Sequence, residues 1–310
     1  MYNWKIIGHK KQLELIEHDI KSDRLTHAYL FTGPSSIGKF SIARMFVNIL
    51  QCPNNLCHEC PTCIQLEKGS HPDTITLKAE DGSESIKIEQ VRDIIAKLNM
   101  TKQSKYKVLL IKKAERFTPE AANCLLKTLE EPPPHTVIIM TTDNVRELLP
   151  TIISRVRLIK FSAYSNKFLK SKMTELFPEA NEETLEQVCS LALGKSGKAI
   201  KLLKNADLLA SYRTMYTMLC EFLEPAPLYK KFKVIEEVLA EDNKTTEFLD
   251  VFTHLVRSRL HQGIENKELT TSKRQHLLSL LSLIENTRQL LKRNINARLA
   301  LENLALKASL

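Results

Sequence analysis

No apolar run in this chain of 310 residues approaches the ~20 residues needed to cross a bilayer. The stretch Met1 to Lys11 is polar and interrupted by Gly8, so it is not expected to act as a secretory signal peptide. Neither an internal repeat nor a low-complexity tract occurs, which argues against repeat architectures and long linkers. Aromatic residues amount to 6% of the chain, and few of them interleave with its dispersed basic residues. That speaks against a stacking platform for nucleic-acid bases. These absences leave a cytoplasmic protein as the expectation, and seven cysteines in that compartment do not read as disulfides.

The length exceeds the usual range of one hydrophobic core, so two or three domains are expected. Hydrophobic residues at 43% and charged residues at 26% are ordinary for a globular protein. The net charge of +9 favours a polyanionic partner, although lysines that only keep a surface soluble would give the same figure.

The first half alternates strand and helix patterns, which predicts a parallel α/β sheet. Strands are expected from His27 to Thr32, Thr74 to Leu77, Tyr106 to Ile111 and Thr136 to Thr141. Helices are expected from Ser41 to Leu50, Ile88 to Leu98 and Glu120 to Glu130, the last stopped by Pro132, Pro133 and Pro134. After Phe161 the pattern is helical to Leu310, with Gly194 and Gly197 read as lying between helices and Glu224 to Pro227 as a loop. Leu277, Leu280, Leu281, Ile284 and Leu291 share one helical face, and Leu299, Leu304 and Leu306 suggest another. Spacing alone does not separate a core stripe from a subunit interface.

Gly33, Pro34, Ser35, Ser36, Ile37, Gly38 and Lys39 fit the phosphate-loop pattern G-x-x-x-x-G-K between a predicted strand and helix. Glycines let backbone N–H groups curl toward phosphate oxygens, and Lys39 would reach the terminal phosphates. The next residue in such a loop is Ser or Thr, whose hydroxyl holds magnesium. Here it is Phe40, and Ser41 points about 100° away around the helix. The strand that ordinarily ends in magnesium-holding acids, Val108 to Ile111, runs into Lys112 and Lys113, with Glu115 beyond it. Two defects in one centre predict weak or absent ATP/ADP binding and no turnover by the chain itself.

Cys52, Cys57, Cys60 and Cys63 place four soft ligands within twelve positions, with Pro53, Asn54, Asn55 and Pro61 as turn formers. This spacing predicts one structural Zn2+ with no open coordination position. His58 is either a further ligand or a solvated bystander. Cys124, Cys189 and Cys220 read as dispersed core thiols.

With these residues assembled, the chain resembles the clamp-loader branch of the AAA+ superfamily nearly end to end. The resemblance is carried by Ile6 to His9 with His27 to Phe31, by the cysteine knuckle after the loop's helix, and by Ala122 to Pro133. Ser154-Arg155-Val156, where the family has Ser-Arg-Cys, and Asn294 to Leu306 add to it. It implies an AAA+ P-loop domain over 1–163 with a zinc knuckle at 52–63, a helical lid over 164–206, and an all-α collar over 207–310. It further implies a part in placing the ring-shaped sliding clamp on primed DNA, in a hetero-oligomer with gamma/tau and delta subunits and away from membranes. Phe40, Lys112 and Lys113 put the chain on the side of the family's delta-prime subunits, non-hydrolysing stators of the DNA polymerase III holoenzyme. By the same resemblance Arg155 is an arginine finger reaching a neighbour's ATP, whereas spacing alone favours a surface or interface arginine in an ion pair, and nearby Arg157 shows that arginine here is not unique. Lys198 falls at a nucleotide-sensing position of the lid, or is a solvated lysine at a helix start. Two other readings are an active gamma/tau-like ATPase and a zinc-dependent nucleic-acid-binding module.

Overall fold

Five short runs rich in β-branched, leucine and aromatic residues pair side by side into one parallel sheet. The computed structural model of the chain describes residues 2, 4, 6–54, 56–80, 82–83, 85–224, 227–240, 244–265, 270–292 and 295–308. Met1, Asn55, Pro225, Ala226, Asn294 and Leu310, named above, lie outside that set. The sheet-bearing part runs α1 (Lys10–Lys21), β1 (Ala28–Thr32), α2 (Lys39–Gln51), α3 (Pro61–Lys68), β2 (Thr74–Leu77), α4 (Ile88–Leu98), β3 (Lys107–Ile111), α5 (Pro119–Glu130), β4 (Thr136–Thr142), α6 (Pro150–Ile153) and β5 (Arg157–Lys160). The strand order is β2-β3-β4-β1-β5, so β1 is flanked by β4 and β5.

Alternate residues of the inner strands feed two cores. Tyr29, Phe31, Val108, Leu110, Val137 and Ile139 pack with Leu13 and Ile16 of α1 and Ile42 and Phe46 of α2. Leu30, Leu109, Ile111, Ile138 and Met140 pack with Val91 and Ile94 of α4 and Leu125 and Leu129 of α5. Burial on both faces is why these strands read as continuous apolar runs. Four elements of this part, α1, α3, α6 and β5, were not expected, and two of them have a plain local cause. α3 starts at Pro61 because a proline at the first helical position has its φ preset and loses no hydrogen bond, so Pro61 opens a helix and does not serve as a turn. β5 is an edge strand in which Ile159 is buried and Leu158 is exposed, too little apolar length to show as a strand.

The remaining helices are α7 (Asn166–Leu176), α8 (Glu182–Ala192), α9 (Ser196–Lys204), α10 (Ala206–Leu223), α11 (Leu228–Leu239), α12 (Lys244–Glu265), α13 (Thr271–Lys292) and α14 (Ala297–Lys307). The chain divides into two compact units, Met1–Lys172 with Gly194–Lys198, and Met173–Leu193 with Ala199–Leu310. In the second unit α12 packs against α10 and α13, and α11 against α14. The rings of Phe222, Phe248 and Phe252 stand 5.7 to 5.9 Å apart there. Leu277, Leu280 and Ile284 are buried, so their stripe is core. Leu304 is buried while Leu299 and Leu306 are exposed: 299 and 306 share one side of α14, and 304 lies with Ala300 and Leu301 on the other. Gly197 is the second residue of α9 and does not separate two helices. No helix among the described residues is long and apolar enough to cross a membrane.

Candidate functional site

β1 delivers the chain to the phosphate loop at the carboxyl end of the sheet, where open α/β sheets bind ligands. Gly38 caps α2 with φ 100°, and Ser36 holds φ 60°, so the loop curls over the helix N-terminus. Lys39 is only 6% exposed. Its ammonium donates to the Gly33 and Pro34 carbonyls, both at 2.7 Å, and pairs with Asp143 Oδ1 at 2.7 Å. An ammonium has three donors, so all are engaged within the protein. The segment Gly194–Lys198 of the same unit closes on the loop: Ser196 Oγ donates to Ile37 O at 3.2 Å, and Lys198 N–H donates to Ser36 O at 3.2 Å. A Cβ on Gly197 would stand 2.7 Å from Ser36 O, which is why this helical position is glycine. Lys198 is 8% exposed, so the solvated reading of that residue is corrected.

Behind the loop, buried His9 packs against Phe161 and Tyr164, with ring centroids 4.9 and 4.7 Å away. Burial holds its pKa below the usual histidine range, against the opposing pull of the Ile37 backbone. The two departures from an ATPase loop meet one another. The Lys112 ammonium lies over the Phe40 ring, 5.1 Å from its centroid. A cation–π contact at an exposed lysine is worth about 0.5–1 kcal/mol. It also sets a positive charge and an apolar face beside the loop, where neither can ligate a divalent cation. Two carboxylates nevertheless reach this region. Glu115 Oε1 accepts from the Asp143 N–H at 3.3 Å, and Asp143 in turn pairs with Lys39.

The cysteines converge as their spacing predicted. Cys52 caps the end of α2, Cys57 lies in the loop, and Cys60 and Cys63 flank the start of α3. One ligand atom from each forms a group within 4.8 Å, with Cys52 Sγ at 3.7 Å from Cys57 Sγ and 3.9 Å from Cys60 Sγ. Tetrahedral bonds of about 2.3 Å to zinc would hold sulfurs about 3.8 Å apart, so the four-cysteine cluster is compatible with a zinc site. The Cys60 N–H donates to Cys57 Sγ and the Cys63 N–H to Cys60 Sγ, both at 3.4 Å. Backbone N–H groups of Glu59 and Cys60 bring the Cys57 thiol down to about 6. Burial, with Cys52 and Cys60 as neighbours, pushes Cys63 up to about 12. His58 is exposed and not part of the group.

Arg155 and Arg157 flank the start of β5 in different settings. Arg157 Nη1 donates to Asp19 Oδ2 at 2.5 Å, and Tyr29 Oη donates to the same oxygen at 3.1 Å. Asp19 is buried, so this network is structural. Asp19→Asn is expected to destabilise the fold by about 2 kcal/mol, read as a lower denaturant midpoint at unchanged slope. Arg155 is 34% exposed and reaches outward. Its Nε and Nη2 contact Glu130 Oε1 at 2.9 and 2.5 Å, and Nη1 donates to Thr151 O at 2.9 Å.

A family model described as DNA polymerase III, delta subunit, matches residues 8–165. The gamma subunit of DNA polymerase III from Buchnera aphidicola (strain APS) is 32% identical over 253 residues, spanning 79% of this chain and 69% of that protein. The chain belongs to the clamp-loader family of DNA polymerase III subunits. Among its clamp-loader relatives, the delta' subunit of Pseudomonas aeruginosa is 34% identical over 181 residues, 57% of this chain and 55% of the relative. The solved structure of a gamma subunit-related protein from Thermotoga maritima covers 96% of this chain and 98% of its own, at TM-score 0.52 and 22% identity. That likeness is one of fold. Gamma and delta' subunits both stand among the clamp-loader relatives, so kinship leaves their difference to the chemistry of the loop.

Of the residues singled out in the sequence, the structure gathers the loop with Lys39, the four cysteines, and Phe40 with Lys112. Asp143 and Glu130 were missed. Each meets its partner only through the fold, Asp143 across 104 positions from Lys39 and Glu130 across 25 from Arg155.

Proposed function

We propose that this clamp-loader subunit is of the delta-prime kind: a stator that does not hydrolyse ATP and supplies Arg155 in trans to an ATPase neighbour. The observation that carries the reading is the Lys112 ammonium over the Phe40 ring, where a hydroxyl and a carboxylate would be needed to hold magnesium. The three engaged donors of Lys39 support it, because a phosphate would have to displace protein oxygens. Zinc on Cys52, Cys57, Cys60 and Cys63 would be structural, neutralising thiolates that crowd one another. The chain would work in the cytoplasm as three parts, 1–163, 164–206 and 207–310, the last a collar whose exposed Leu299 and Leu306 suit contact with neighbours. Its partners would be gamma/tau and delta subunits, the sliding clamp, and primed DNA held through its phosphates by the assembled complex.

One observation favours an active ATPase instead: Glu115 and Asp143 bring carboxylates toward Lys39. ATP turnover by the purified chain beside Lys39→Ala decides between the two. Both proteins at background is the expected result. Hydrolysis by the parent that Lys39→Ala abolishes would overturn the stator.

A further inference from the structure

The guanidinium of Arg155 is held from two sides before any neighbour arrives. On one side Glu130 Oε1 accepts from Nε at 2.9 Å and stands 2.5 Å from Nη2 as its ion-pair partner. On the other, Nη1 donates to Thr151 O at 2.9 Å and contacts Ser154 Oγ at 3.2 Å. A guanidinium carries five N–H donors. The second N–H on Nη2 is not required by these contacts and remains for an incoming anion.

Glu130 is oddly sited for a merely local role. It is the last residue of α5, where the negative end of the helix dipole disfavours a carboxylate, and Glu131 follows it directly. A residue that breaks a local electrostatic rule without a gain in packing is a candidate for function. Glu130 is 50% exposed, so its gain is not burial. Pro132 to Pro134 come next and stiffen the chain just beyond the carboxylate.

We propose that Glu130 is the positioning residue for Arg155, fixing the plane of the guanidinium so that it meets the equatorial oxygens of the neighbour's transferring phosphoryl group. The proposal rests on the reading of Arg155 as a trans-acting finger. An arginine side chain left to its own rotamers loses much of its freedom on engaging a phosphate, and a tether set in advance removes that cost. The tie stays weak, because both partners are solvent-accessible and water screens them. It orients the guanidinium without withholding it.

The test is ATP turnover by a clamp loader reconstituted with Glu130→Ala, Glu130→Gln, Arg155→Ala or the double variant, after co-elution verifies assembly. Glu130→Ala is expected to lower kcat about tenfold at unchanged KM for ATP. Glu130→Gln keeps an oxygen acceptor and should recover most of that loss. In the Arg155→Ala background, removing Glu130 should have no further effect. Parental turnover by Glu130→Ala beside a defective Arg155→Ala overturns the positioning role alone. A loss that adds to that of Arg155→Ala also overturns it. If Arg155→Ala itself matches the parent, the finger reading fails first and this proposal with it.

Discussion

Alanine in place of Arg155 is expected to lower ATP turnover by a reconstituted clamp loader about 10³-fold at the site this chain faces. The size follows from what a guanidinium does in phosphoryl transfer, where it stabilises charge that develops on the equatorial oxygens. The chain's own stability should not change, because Arg155 is partly exposed and its contacts lie at the surface. Arg157→Ala is the internal control, since it breaks the buried Asp19 network and should lower stability with turnover spared. Arg155→Lys should rescue little: a compact ammonium lacks the planar fork and cannot keep the Glu130 and Thr151 contacts while reaching a phosphate. Single-turnover hydrolysis by the assembled complex is the measurement, and parental rates with Arg155→Ala would remove the finger.

How much of this was legible in the sequence depended on whether a signal was contiguous. β1, β3 and β4 stood out because both of their faces are buried and no polar position interrupts them. β5 did not, since an edge strand of sequence Arg-Leu-Ile-Lys buries one residue well and looks like loop. The phosphate loop and the cysteines were legible because their residues are near one another along the chain. Asp143 was not: nothing in Thr141-Thr142-Asp143 marks the aspartate until β4 is laid beside β1 and its end meets Lys39. The same holds for the Phe40 and Lys112 contact. Each residue could be read singly as a lost magnesium ligand, but that they cover one another is a property of the sheet order. Reverting Phe40 to a hydroxyl residue alone would therefore leave an ammonium beside the new ligand.

Metal analysis of protein purified without chelators is expected to find about one zinc per chain, and stripping it should lower the melting temperature by roughly 10 °C. The estimate follows from what the knuckle anchors. Leu56, between Cys52 and Cys57, and Leu66, just after Cys63, are buried in the same core as Ile42 and Phe46 of α2. Freeing them would expose two leucines worth about 1.5–3 kcal/mol each, and 1 kcal/mol moves a unit of this size by about 2–4 °C. Loss of the whole fold is not expected, because the sheet has cores on both faces that do not use the metal. The unfolding should be local: far-UV helicity close to native, faster amide exchange through α3, and accessible thiols at Cys52 and Cys63, which are buried in the folded knuckle. Cys60→Ser should reproduce the stripped state, since Cys60 both belongs to the cluster and caps α3 by accepting from the Cys63 N–H. Protein free of zinc that melts as the native chain does would instead mean that the knuckle is held by its cap and its leucines alone.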